Sequence, residues 1–123
     1  AYKSLEKHFA KISRLKEIQS IAGWDEAVVM PEGGSHFRNQ AMAELAGVIH
    51  DLQTSPQIGE WLENVRSQDL DEWQSANLRE MKRVYVQETS VSAELNRKMV
   101  LAKLECEQMW RSARKDNDWK SFA

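Results

Sequence analysis

Three histidines, a single cysteine and a scatter of carboxylates are the side chains of this 123-residue chain with catalytic chemistry to offer. A metal centre takes three or four ligands, usually with one close pair at helical or short-loop spacing. His8, His36 and His50 stand far apart, and none has a second histidine three or four residues on. No His-Glu-x-x-His run occurs. Histidines scattered in this way predict no zinc site within the chain. Cys106 falls on an apolar helical stripe with no base beside it, so it reads as a buried small hydrophobe and not as a nucleophile. Asp25-Glu26, Asp71-Glu72 and Glu105 with Glu107 have the composition of acid–base pairs, yet acids recur along the whole chain and these read as solvated helix faces. The catalytic, cofactor-binding and metal-ligating residues expected within this chain are therefore none.

Binding is a separate question, and two residue types bear on it. Trp24, Trp61, Trp73, Trp110 and Trp119 are many for this length. A buried indole shields a large area and asks for one hydrogen-bond partner, so core and helix-interface packing is their expected use. Trp24, in the most irregular stretch and followed by an acid, is the candidate for lining a substrate groove. Arg38 sits in the first turn of its expected helix, where a cation opposes the helix dipole. That placement predicts a specific partner, Asp25, Glu26 or a backbone carbonyl, with a peptide carboxylate as the functional alternative.

The elements that carry these residues read as helices throughout. Leu5, Phe9, Ile12, Leu15, Ile18 and Ile21 (or Ala22) recur at three- and four-residue steps over Tyr2 to Ala22, the stripe of a long amphipathic helix. Gly23 is placed to end it as a left-handed C′ residue. Trp24 to Arg38 follows as an irregular connector, because Met30 precedes a proline and Gly33-Gly34 come next. Val28, Val29 and Met30 are expected to tuck against the helices on either side. Helical spacing resumes near Ser35, a plausible N-cap, with Phe37, Met42, Leu45, Ile49 and Leu52 inward. Ala41, Ala43 and Ala46 leave room for close approach by another helix. Thr54-Ser55-Pro56 stops this helix and starts a short third one with Ile58, Trp61, Leu62 and Val65 inward. After a polar break at Ser67-Gln68, Asp69 with Glu72 suggests a capping box. A fourth helix then carries Leu70, Trp73, Asn77 or Leu78, Met81, and Val84 or Tyr85. Thr89 to Ser92 is a break with Ser90 or Ser92 as the next cap. In the last helix Leu95, Met99, Ala102, Cys106, Met109 and Ala113 make a heptad-like stripe, widened by Leu101, Leu104 and Trp110. Asn117 ends it, and Asp118 to Phe122 reads as a turn leading onward. No segment alternates with strand period, so the expected fold is all-α, about five helices in one layered bundle.

Composition bounds the function classes. A hydrophobic content of 41% with 29% charged residues is that of an ordinary globular protein. A net charge of −2, with both signs interspersed, predicts no nucleic-acid partner. No apolar run approaches the roughly twenty residues that cross a bilayer, and no signal-peptide pattern opens the chain. One cysteine cannot close an internal disulfide, which favours a reducing compartment. The expected location is the cytoplasm, away from membranes.

Two motifs identify a family. The run Trp24-Asp25, Met30-Pro31, Gly33-Gly34 and Arg38 resembles the N-terminal signature of the thermostable carboxypeptidase (carboxypeptidase Taq) family. The likeness continues through Gln40, Leu45, His50, Thr54-Ser55-Pro56 and Ile58-Gly59. It returns at Trp110, Ala113-Arg114, Asn117-Asp118-Trp119 and Phe122, and is weakest between about Glu63 and Ser90. The resemblance implies a mostly helical zinc metallocarboxypeptidase that releases C-terminal amino acids from peptides. It further implies zinc or another divalent metal on a His-Glu-x-x-His helix, with a further glutamate ligand, beyond the point where this chain stops. On that reading residues 1–123 are an N-terminal fragment forming one side of the substrate groove and inactive alone, and the ending at Phe122-Ala123, with no polar tail, looks truncated. A self-contained helical interaction module is the alternative. Apolar surface left by truncation predicts a symmetric homodimer, with Leu101, Leu104 and Trp110 as candidate contacts.

Overall fold

The structure, a computed structural model, describes residues 1–67 and 69–123. Among them there is no strand. The helices are α1 (Tyr2–Val28), α2 (Ser35–Gln53), α3 (Pro56–Asn64), α4 (Glu72–Thr89), α5 (Ala93–Lys115) and a single turn, α6 (Trp119–Phe122), with short 3-10 turns at Glu32–Gly34 and Val65–Ser67. The all-α bundle expected from the periodicity is what forms.

Two packing units share α1. At one end Tyr2 and Leu5 of α1 meet Ile58, Val65 and Met81 from the α3–α4 region, with Phe9, Trp61, Leu62, Leu78 and Tyr85 packed around them. Asn77 donates from Nδ2 to the Tyr2 hydroxyl at 3.0 Å and ties α4 to the chain start. In the other unit α2 lies between α1 and α5. Its small residues do what their size predicts: Ala43 and Ala46 are buried along with Met42 and Ile49, which lets neighbouring helices approach α2 closely. Buried His50 of α2 places Nδ1 3.3 Å from Glu88 Oε2 of α4. His8 of α1 uses Nε2 on the Leu52 carbonyl at 2.7 Å, so α1 and α4 are both pinned to α2.

Several local expectations are corrected. Gly23 does not end α1, because no glycine in the described residues has positive φ and the helix runs on to Val28. A helical glycine costs only about 1 kcal/mol against alanine, less than the turns it would sacrifice. The true stop is the pre-proline bend: the amides of Val29 and Met30 both donate to the Asp25 carbonyl before Pro31. Trp24 to Val28 is therefore helix, and the connector shrinks to Val29 through the 3-10 turn. Val28 and Val29 are exposed and do not tuck in; only Met30 is half-buried. Ser35 is the first helical residue, not the cap, which falls on Gly34. Ser55 does hold the N-cap position before Pro56, but its hydroxyl makes no capping bond. The capping box is Asp71 with Gln74, not Asp69 with Glu72: Gln74 N donates to Asp71 Oδ1 at 2.8 Å, and Asp71 N to Gln74 Oε1 at 3.0 Å. Ser92 caps α5 through Leu95 N, as its position predicts. The break expected at Ser67-Gln68 falls in part on Gln68, outside the described residues.

Burial departs from the stripes on four helices. Phe37 is 82% exposed, since it points away from the α1 contact that Arg38 makes. The C-terminal half of the α1 stripe, Ile18 and Ile21, faces outward, as does Trp73 on α4. On α5 the heptad-like stripe from Leu95 to Met109 is the outer side, with Ala113 at its end buried, because Leu104 is buried and Arg97, Val100 and Leu101 are half-buried on the side where α2 lies.

Candidate functional site

The two stretches that carry the sequence motifs form two separate structural features. The first is the corner between α1 and α2. Arg38 reaches back from the first turn of α2 and places Nη1 2.7 Å from Asp25 Oδ2. The same nitrogen donates to the Ala22 carbonyl at 3.0 Å. One guanidinium thus answers a carboxylate and a carbonyl near the C-terminal end of α1, where a cation is favoured by the dipole. The structural pairing expected for Arg38 is the one that forms, and it engages Nη1 alone of the guanidinium nitrogens. Glu26, next to Asp25, and Asn39, next to Arg38, are both buried, and Glu26 Oε1 and Asn39 Oδ1 have no hydrogen-bond partner in the protein. Trp24, one residue before the bridge, is 60% exposed.

The second feature is the end of α5. Asn117 takes φ 52°, the left-handed conformation that lets the chain reverse after Asp116. Asp118 N then donates to the Ala113 carbonyl at 2.8 Å. Asp118 caps α6, accepting from the Ser121 hydroxyl and from Ser121 N, and these bonds hold its carboxyl below its ordinary 3.8. Trp110, Ala113, Arg114, Asn117, Trp119 and Phe122 line a cup of about 290 Å3, with the Trp119 and Phe122 rings 5.3 Å apart. Its size is at the lower edge for a small-molecule site.

The other singled-out residues are spread apart. His8 packs its ring against Trp61 and Phe9, His50 is with Glu88, and His36 is exposed beside Phe37. Among the described residues no three His, Cys, Asp or Glu side chains cluster as metal ligands, so the donors of this chain do not fit a catalytic divalent metal. Cys106 is exposed, which corrects the buried position expected of it: it stands on the outer side of α5. The tryptophans are also corrected. Trp24, Trp73, Trp110 and Trp119 are exposed, and only Trp61 contributes to the core. Leu101 and Leu104 turn inward beside α2, so they are not free to make the intermolecular contact expected of them. The burial of Glu26 and Asn39 carries no sequence signal of its own. It follows from the extension of α1 past Gly23, which a pattern reading that stops at Gly23 cannot see.

Comparison with solved structures places this arrangement among helical metallocarboxypeptidases. Metallocarboxypeptidase 1 of Trypanosoma cruzi superposes with a TM-score of 0.77 and 36% identity, covering 98% of this chain and 25% of that one. A solved chain designated CHT matches with a TM-score of 0.72 and 29% identity over the same shares. Thermostable carboxypeptidase 1 of Thermus thermophilus is 32% identical over 99% of this chain and 25% of its own length. The model of the carboxypeptidase Taq (M32) metallopeptidase family matches residues 4–123, and the chain belongs to that family. It spans about a quarter of the length of the relatives it matches.

Proposed function

We propose that these residues are the N-terminal helical region of a metallocarboxypeptidase that releases C-terminal amino acids from peptides, and that they form one side of its substrate groove. The observation that carries the reading is the family match over residues 4–123, joined to a span of only a quarter of each relative. The divalent metal, zinc in this proposal, belongs to residues outside this chain, consistent with the lack of a fitting donor set here. Trp24 is the residue of this region proposed to face substrate: it is exposed at the α1–α2 corner, whereas Arg38 is already engaged. The assembled enzyme is proposed to be cytoplasmic, to bind no nucleic acid and to be a homodimer. Among the described residues no helix is long and apolar enough to cross a membrane. For a dimer contact within this region, the exposed Ile18, Ile21 and Val28 replace the inward Leu101 and Leu104. The self-contained interaction module has less support, because a closed module does not leave so many large apolar side chains outside.

The test compares the 123-residue chain with the longer polypeptide encoded by the same reading frame. Release of the C-terminal residue from blocked peptides is followed by mass spectrometry, and bound metal by elemental analysis. The longer protein is expected to be active, to lose activity to a chelator, and to hold metal that the 123-residue chain does not. A reading frame that closes after Ala123, or one tightly held zinc per 123-residue chain, refutes the proposal.

A further inference from the structure

The outer side of α5 is a second apolar seam on a helix whose other side already packs against α2. Leu95, Met99, Ala102, Cys106 and Met109 are all exposed, with Trp110 beside them. Leu95, Ala102 and Met109 repeat at sevens, and so do Met99 and Cys106, the spacing that presents knobs to a facing helix. From Leu95 to Met109 the seam is about 21 Å long at 1.5 Å per residue. Its centre is small (Ala102, Cys106) and its ends are bulky, which suits close helix approach at mid-seam.

We propose that this seam seats an amphipathic α-helix supplied by the part of the polypeptide outside these 123 residues, packed in coiled-coil fashion at a shallow crossing angle. The inference rests on the reading of the chain as a region of a longer metallocarboxypeptidase, whose relatives are about four times its length. Charge argues against a second copy of α5 as the occupant. Lys98 and Lys103 flank the seam on opposite sides, as do Glu105 and Trp110. A parallel pair sets Lys98 against Lys103 of the other copy. An antiparallel pair sets Lys103 against Lys103 and Glu105 against Glu105. Like charges at such flanking positions disfavour pairing. A helix with acidic residues opposite Lys98 and Lys103 meets neither obstacle.

Cys106, near mid-seam, is a built-in probe. A small maleimide is applied to the 123-residue chain and to the longer protein, native and denatured, and adduct at Cys106 is read by peptide mass spectrometry. Labelling of the native 123-residue chain is expected within a few-fold of the denatured rate, and labelling of the native longer protein at least about a hundred-fold slower, as for a thiol that reacts only on opening. Cys106→Lys is expected to leave the melting temperature of the short chain unchanged and to lower that of the longer protein. Equal native rates in the two proteins overturn the proposal, as does protection in the short chain that grows with concentration alongside a sedimenting dimer. Protection of Cys106 in a longer protein that lacks carboxypeptidase activity upholds the seam while refuting the enzymatic reading.

Discussion

Three glycines lie inside helices with negative φ, and the same substitution at each has a different expected outcome. Around Gly23 of α1 and Gly47 of α2, a Cβ would meet nothing within 4 Å. Alanine there gains its helix propensity and a less flexible unfolded chain, about 1 kcal/mol at each site. At Gly59 of α3 the Cβ would lie 3.0 Å from the Tyr85 hydroxyl oxygen and 3.6 Å from the carbon that bears it. Tyr85 packs on the core cluster, so its ring has to give by a few tenths of an ångström, an overpacking cost of about 1–2 kcal/mol. Gly23→Ala and Gly47→Ala are thus expected to raise the melting temperature by roughly 3–6 °C each for a chain of this size. Gly59→Ala is expected to leave it unchanged or lower it. Thermal melts followed by far-ultraviolet circular dichroism measure all three. Tyr85→Phe removes the offending oxygen, so adding Gly59→Ala in that background should recover most of the alanine gain, a coupling that a double-mutant cycle isolates. Equal stabilisation by Gly59→Ala and Gly23→Ala, or a Gly59→Ala effect unaltered in the Tyr85→Phe background, refutes the packing conflict.

Ile58 is fully buried at the meeting of α1, α3 and α4, and Ile58→Ala is expected to cost about 2–5 kcal/mol in chemical denaturation. Arg38→Ala removes the bond to Asp25 and the one to the Ala22 carbonyl; with both charged groups partly exposed the loss is expected to be about 1 kcal/mol, with faster amide exchange at Val29 and Met30. Because Asp118 is held below its ordinary 3.8, the α6 cap should be intact above that pH and fade as pH falls through the lowered value. The Ser121 amide resonance should report that titration, and Asp118→Asn should abolish it; a midpoint at or above 3.8 would contradict the hydrogen-bonded cap.

What was legible in the sequence follows from which signals fix a single answer. The α2 stripe at Met42, Leu45, Ile49 and Leu52 turned inward with Ala43 and Ala46, while Phe37 and Ala41 at its start did not. Arg38 was legible because a cation in a first turn needs a reason to be there, and the reason was a neighbouring acid. Asn117 was legible as a stop because asparagine tolerates the left-handed region. Gly23 misled because glycine permits a stop without requiring one, and the pre-proline constraint about two turns later was the stronger. On α5 periodicity found a real seam but not its direction: the helix is apolar on two sides, and α2 took the one holding Leu104. The tryptophans misled for a related reason. Hydrophobicity says that an indole gains by burial, not that the surface burying it lies within the same 123 residues. Of the candidate site, the Asp25–Arg38 bridge was readable. The unpartnered Glu26 and Asn39 were not, since their burial depends on where α1 ends.

Arg38 spans the one glycine of α1. Its two bonds fall on either side of Gly23, at the Ala22 carbonyl and the Asp25 carboxylate. At 27 residues α1 is a rod of roughly 40 Å, and a glycine past its middle is where such a rod would flex. The guanidinium acts as a splint across that point, held from outside by α2. One degree of tilt about one end would displace the far tip of such a rod by about 0.7 Å. The Arg38 bonds at the corner and the His8–Leu52 tie toward the other end fasten α1 to α2 at both ends, and the His50–Glu88 tie fastens α4 to the same frame.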